Sequence, residues 1–357
     1  VNALVTGAGG FLGLYIVEQL VARGDGVRAF CRRPHAELDA LGVETVLGDL
    51  CDREAVVAAC RGVDVVFHVG GVAGLAGSWK HYYAVNTLGT RHVVDGCLAQ
   101  GVRRLVYASS PSVVFDGSSQ EGIDESVPYP NKWLGNYPRS KALAEKHVLA
   151  NNGTDGLLTC ALRPHLIWGV RDRHLIPRLI QRATSGRLCR VGDGKNKIDT
   201  VYVENAAMAH VQAADALRPD SPVPGRAYFI TQGEPVNCWE WIDNLLALAG
   251  LPPVTRSMSP TTARILGAAM EMAYTLFGWK GEPAMTRFLA AQLATSHYFD
   301  ITRARDDFGY HPKVSTAEGM RRLADELASR RLGSQPSELP GSAPSAARPL
   351  ANLRQNR

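Results

Sequence analysis

Residues 2–13 read Asn2-Ala3-Leu4-Val5-Thr6-Gly7-Ala8-Gly9-Gly10-Phe11-Leu12-Gly13. A short β-branched run passes into glycines spaced GxxGxxG, and an amphipathic stretch with Leu12, Ile16 and Leu20 at i, i+4 and i+8 follows. The spacing has a physical reading. Gly7 turns the chain tightly off a strand, Gly10 lets backbone N–H groups approach a pyrophosphate, and Gly13 lets helix and strand pack closely. The helix N-terminus adds unpaired N–H donors and a positive dipole end. Gly7, Gly10, Phe11, Leu12 and Gly13 are therefore the candidate dinucleotide contacts.

The same rhythm continues outward. Strand patterns recur at Val27–Cys31, Glu44–Leu47, Asp64–Val69, Arg104–Ser109 and Leu158–Leu162, separated by helical stretches. This alternation predicts an α/β fold, a Rossmann-type doubly wound parallel sheet over residues 1–165. Helical patterns dominate from 166 to 332, with short strands near Ala227–Ile230 and His297–Asp300. They predict a smaller, mostly helical C-terminal substrate lobe, partly interleaved with the sheet. Residues 333–357 carry four prolines among Ser and Ala, the composition of a disordered tail.

Composition excludes several classes. The 357 residues are 45% hydrophobic and 20% charged, which fits a globular chain. Of the net charge of +5, the tail supplies part through three arginines against one glutamate, so no nucleic-acid footprint stands on the body. The seven cysteines are scattered without CxxC spacing and read as reduced thiols of a cytoplasmic protein. No metal-ligand spacing occurs. No apolar run approaches a membrane span, and no leader-like segment precedes the first strand.

Tyr137-Pro138-Arg139-Ser140-Lys141 opens a helix, and a spacing of four puts Tyr137 and Lys141 on one face. A free phenol titrates near 10, too high for proton exchange at neutral pH. An adjacent ammonium and an oxidised nicotinamide ring stabilise the phenolate and lower that value. Ser109-Ser110 ends the fifth strand, at the carboxyl edge where parallel sheets hold ligands. The end of the second strand carries Cys31-Arg32-Arg33 and no acid to bind ribose hydroxyls, and arginine pairs with a 2′-phosphate. NADPH is therefore the preferred cofactor, with NADH the alternative. Asp49-Leu50, after the third strand, is placed to border the adenine, and a turn or helix-cap role for Asp49 is compatible with that.

These motifs together resemble the extended short-chain dehydrogenase/reductase family over residues 2–330. The resemblance implies Tyr137 as acid/base, Lys141 as its tuner, Ser110 as the carbonyl-orienting hydroxyl, Asn86 as an ordering residue and Pro164 against the nicotinamide. Leu162-Arg163-Pro164-His165-Leu166-Ile167-Trp168-Gly169 and Lys197 to Ala207 resemble its 3β-hydroxysteroid dehydrogenase branch. Ser110-Pro111-Ser112 lacks the acidic pair of the dehydratases. Val191-Gly192-Asp193-Gly194, Gly281-Glu282-Pro283 and Asp307-Phe308-Gly309-Tyr310 resemble a group of bacterial reductases acting on 2-alkyl-3-oxoalkanoic acids. The implied reaction is hydride transfer between a nicotinamide and a 3-keto/3-hydroxy group of a hydrophobic substrate. A 3β-hydroxysteroid or sterol-4-carboxylate 3-dehydrogenase is one alternative. A non-catalytic NADP-sensing module is another, though it would have no use for Ser110, Tyr137 and Lys141 together.

Trp79, Ser112, His165 and Leu166 are the candidate substrate-pocket residues. The segment 262–279 is rich in large apolar side chains. It reads as a core helix, or as a lid or docking face for a membrane or partner enzyme. The family resemblance implies a homodimer through residues 82–100 and 137–151.

Overall fold

The computed structural model describes residues 1–74, 77–279 and 281–333, with a helix over Thr316–Gly333 at its end. The tail beyond 333, read above as disordered, lies outside the described residues. Seven strands make one parallel sheet: β1 (Asn2–Thr6), β2 (Gly26–Cys31), β3 (Glu44–Leu47), β4 (Val65–His68), β5 (Arg104–Ala108), β6 (Leu158–Pro164) and β7 (Ala227–Ile230). Their spatial order is 3-2-1-4-5-6-7. The order reverses between β1 and β4, and in an open parallel sheet ligands bind at such a reversal, outside the carboxyl ends of the strands.

The helices that matter for the site are α1 (Phe11–Ala22), α2 (Gly89–Gln100), α3 (Asn136–Ala150), α4 (Val203–Ala216) and α5 (Pro260–Phe277). β4 is buried along its whole length, as a strand covered on both faces must be. Alternate residues feed two cores. Ala3 and Val5 join Ile16, Val17 and α4 side chains on one face, while Leu4 joins Val93, Cys97 and Val148 on the other. Gly101 stops α2 in the left-handed conformation (φ 68°), as its place after the helix pattern predicts.

Residues beyond 165 return to the sheet. Ala227–Ile230, which the sequence places in the substrate lobe, pairs with β6 in register Ala227 to Ala161 and becomes the outermost strand. Val236–Asn237, Lys197–Ile198 and His297–Phe299 from the C-terminal chain join Gln120–Ile123, which lies between β5 and α3 in sequence, in a second sheet of four short strands. Among the described residues no helix is long and apolar enough to cross a membrane.

Candidate active site

The glycine loop leaves β1 at the reversal. Gly7 holds φ 68°, and a Cβ there would lie 2.6 Å from Gly70 Cα. A Cβ on Gly13 would overlap the Gly7 carbonyl oxygen, and one on Gly10 would meet the same oxygen at 3.0 Å. Gly10 is the N-cap of α1 and supplies no side-chain cap, so the first-turn donors have no side-chain partner. This cradle, which side chains would fill, fits a pyrophosphate. Sequence reading missed Gly70-Gly71 after β4. Their signal was a glycine pair directly following a buried strand, and Gly70 is needed because the Gly7 turn presses against it.

Arg32 and Arg33 stand exposed at the end of β2. Asp49 is also exposed and accepts the Cys51 N–H at 2.8 Å across a turn. Leu50 is buried. Phe11 and Leu12 are half-buried at the start of α1.

Across the crevice, α3 carries Tyr137, Lys141 and Glu145 on successive turns of one face. Burial pushes the Tyr137 phenol above its ordinary value, and the nearby Ser110 hydroxyl opposes the rise. Ser110 is reached by an extended backbone at the end of β5, and its Oγ also lies 2.9 Å from Ser112 Oγ. The Lys141 ammonium is pushed down to about 7 by burial, with Glu145 opposing the shift. Lys141 Nζ also sits 4.2 Å from the centre of the Tyr107 ring. A phenol, a hydroxyl and an ammonium thus converge beside the cradle. Such a set can donate to a carbonyl oxygen and deliver a proton to it.

Buried hydrogen bonds hold this set to the cradle. Asn86 lies in a π-helical turn, Tyr83–Leu88. Its Oδ1 accepts Val72 N–H at 2.8 Å, and its Nδ2 donates to Ser140 Oγ at 3.0 Å. Ser140 Oγ in turn donates to the Tyr137 carbonyl at 2.8 Å. His68 lies 2.7 Å from Thr6 Oγ1 and 2.8 Å from Thr90 Oγ1, and burial pushes its pKa down to about 3. It is a neutral spacer between β1 and α2.

Glu145 and Arg163 form a second support that sequence reading did not single out. Arg163 Nη2 lies 2.6 Å from Glu145 Oε1, and both side chains are almost wholly buried. The Tyr129 hydroxyl donates to the same carboxylate at 2.7 Å. The available signal was a carboxylate continuing the Tyr137–Lys141 stripe by one more turn.

Pro164 ends β6, opposite Ile230. Beyond Tyr137 opens a cavity of about 1080 Å³, walled by Tyr82, Tyr137, Met272, Leu276, Trp279 and Phe288 among others. The candidate pocket residues lie outside this lining. Trp79 packs under the Arg139 guanidinium at 4.2 Å. His165 is buried between His297 and Phe299, with ring centres 4.9 and 5.1 Å away, and burial followed by the His297 neighbour keeps it neutral. Leu166 adopts φ 43°, a conformation costly for a residue with a Cβ. Segment 262–279, read as core or lid, supplies one wall of the cavity. It also carries six exposed large apolar residues, from Ile265 to Trp279.

A doubly wound sheet, a dinucleotide cradle at its reversal and a tyrosine–lysine–serine group beside it define a nicotinamide-dependent oxidoreductase of the short-chain dehydrogenase/reductase type. Residues 4–258 match the model of the 3-beta hydroxysteroid dehydrogenase/isomerase family, and the chain belongs to that family. A protein of Stenotrophomonas maltophilia named 2-alkyl-3-oxoalkanoate reductase is 48% identical over 322 residues, covering 90% of this chain and 97% of its own. One of the same name from Shewanella oneidensis is 46% identical over 91% of this chain and 86% of its own. A 3beta-hydroxysteroid-dehydrogenase/decarboxylase of Arabidopsis thaliana is 36% identical over 93% of this chain and 81% of its own. Among solved structures, the UDP-glucose 4-epimerase of Thermus thermophilus in complex with NAD superposes with TM-score 0.70 at 26% identity, covering 92% of this chain and 99% of that one.

Proposed function

We propose that the protein is an NADPH-dependent reductase that converts the 3-keto group of 2-alkyl-3-oxoalkanoic acids to a 3-hydroxy group. The observation that carries this reading is the cavity of about 1080 Å³ into which Tyr137 opens, with its apolar helical wall. Burying alkyl chain there is worth roughly 0.8 kcal/mol per methylene. The names of the bacterial relatives support the substrate class. Arg32 and Arg33, in place of an acid, support the phosphorylated dinucleotide.

When bound, the reduced nicotinamide supplies the hydride. Gly7, Gly10 and Gly13 hold the pyrophosphate, and Pro164 lies at the edge where the nicotinamide amide would rest. Ser110 and Tyr137 donate to the substrate carbonyl oxygen. Tyr137 gives up its phenolic proton to that oxygen as the carbonyl carbon is reduced. The Lys141 ammonium offsets the charge left on Tyr137. Donors fixed before the reaction stabilise the developing alkoxide without reorganising.

The deciding experiment runs the reverse reaction on racemic 2-alkyl-3-hydroxy acids and on 3β-hydroxysterols, each with NADP⁺ and NAD⁺, followed by nicotinamide absorbance. Oxidation of the hydroxy acids with NADP⁺ is expected. Turnover of sterols alone would replace this reading with that of a steroid dehydrogenase.

A further inference from the structure

Gly9 is the glycine of the loop for which the GxxGxxG spacing has no use. Glycines 7, 10 and 13 account for the turn, the phosphate approach and the helix packing. The reason for Gly9 lies outside the loop: a Cβ on it would overlap the His35 imidazole, with Nε2, Cδ2 and Cε1 the nearest atoms. The ring therefore rests against the loop backbone. His35 follows Arg32-Arg33-Pro34 off the end of β2 on extended backbone (φ −137°, ψ 119°). β1 and β2 are neighbours, with Thr6 opposite Phe30, so Gly9 and His35 form two lips of one crevice. That is where the end of a second strand reads the adenosine ribose. Glu37, the nearest acid in sequence, pairs with Arg173 at 2.7 Å.

We infer that His35 is a specificity-determining wall of the ribose-phosphate pocket. Seated on Gly9, its ring presents a nitrogen to a 2′-phosphate for which Arg32 and Arg33, three and two residues earlier in the chain, supply the charge. The inference deepens the NADPH reading above and rests on it. Imidazole and phosphate are matched chemically, because a ring N–H donates to an oxyanion and such charge-assisted bonds are the stronger kind. An unphosphorylated ribose offers that nitrogen no anion, so the contribution should appear with one dinucleotide and not with the other. A ring on one lip requires a bare backbone on the other.

The test measures equilibrium dissociation constants for NADPH and NADH by fluorescence titration of the whole protein, without turnover. His35→Leu keeps bulk over Gly9 and removes the nitrogen, whereas His35→Gln restores a donor. In His35→Leu the NADPH constant should rise about tenfold, the size of one charge-assisted hydrogen bond. The NADH constant should stay within about twofold, and His35→Gln should recover most of the loss. Equal weakening of both dinucleotides would mean that the ring only packs the loop, and unchanged constants would mean that it contributes nothing. Either result overturns the inference while the wild-type preference for NADPH still stands. A wild-type protein that binds NADH as tightly as NADPH would instead overturn the cofactor reading, and this inference with it.

Discussion

Lys141 Nζ donates to the carbonyl oxygen of Ala108 at 2.5 Å. This bond ties the catalytic helix to the end of β5, two residues before Ser110, with Lys141 on the same helix face as Tyr137. Burial keeps the ammonium out of water, which is why its pKa falls to about 7. The phenol needs the charged lysine, so kcat/KM for reduction should fall as pH rises through about 7, roughly tenfold per unit. The stability contribution runs the other way. An unfolded lysine titrates near 10.4, so between about 7 and that value the unfolded chain holds the extra proton and stability rises with pH. The melting temperature of Lys141→Met relative to wild type should therefore decrease on going from pH 6 to pH 9. A flat kcat/KM profile over that range would contradict the proposed coupling.

Tyr137 and Ser110 lie near one another but play unequal parts. Tyr137→Phe removes the proton donor and should cost about 10²–10⁴-fold in kcat, the usual range for a positioned general acid. Ser110→Ala removes one orienting donor and should cost less, with Tyr137 still able to act. Dinucleotide affinity should hold in both, because the cradle lies on another strand. Single-turnover kinetics and fluorescence titration check the two halves separately. A Tyr137→Phe protein with near wild-type turnover would remove the tyrosine from the reaction.

The parts of this arrangement that are local in the chain could be read from it. The glycine spacing, the strand patterns through Leu162 and the Tyr137–Lys141 stripe each depend on residues within a turn or two of one another. Contacts between distant segments could not. Gly70 matters only because β4 ends beside the Gly7 turn. The pairing of Glu145 with Arg163 needs α3 to lie across β6. Ala227–Ile230 carries a strand pattern, but nothing in it says that it will pair with Ala161–Pro164 rather than build the second sheet. The places of Trp79 and His165 were set by aromatic partners, Tyr83, His297 and Phe299, that local spacing does not reveal.

Arg163→Met should destabilise the fold by about 3–5 kcal/mol, since it strands a buried carboxylate. Burial by itself raises the Glu145 pKa, yet Arg163 and the hydrogen bonds around it bring the value below the ordinary one. The pair therefore contributes stability that is present above the unfolded carboxylate value of about 4.3 and is lost as pH falls below it. Adding Glu145→Gln to Arg163→Met removes the stranded charge and should return part of the loss. Urea unfolding of the two single variants and the double variant measures this. Additive losses would show that the two side chains are not coupled.

Met272 and Leu276 stand one turn apart on α5, are 62% and 72% exposed, and line the cavity that reaches Tyr137. Their position at once in the wall and at the surface marks the path by which an alkyl chain would enter. Replacing both with aspartate leaves the reacting atoms untouched, and exposed positions of this kind usually alter stability by no more than about 0.5 kcal/mol. For a long-chain 2-alkyl-3-hydroxy acid the variant should show KM raised about tenfold or more, because two or three methylenes lose apolar contact at roughly 0.8 kcal/mol each. kcat should be unchanged, and a short-chain analogue that does not reach the rim should keep its KM. Chain-length dependence of KM in the two proteins is the measurement. Equal increases for long and short acids would mean that the charges disturb the site as a whole, and unchanged KM for both would place the chain elsewhere in the cavity.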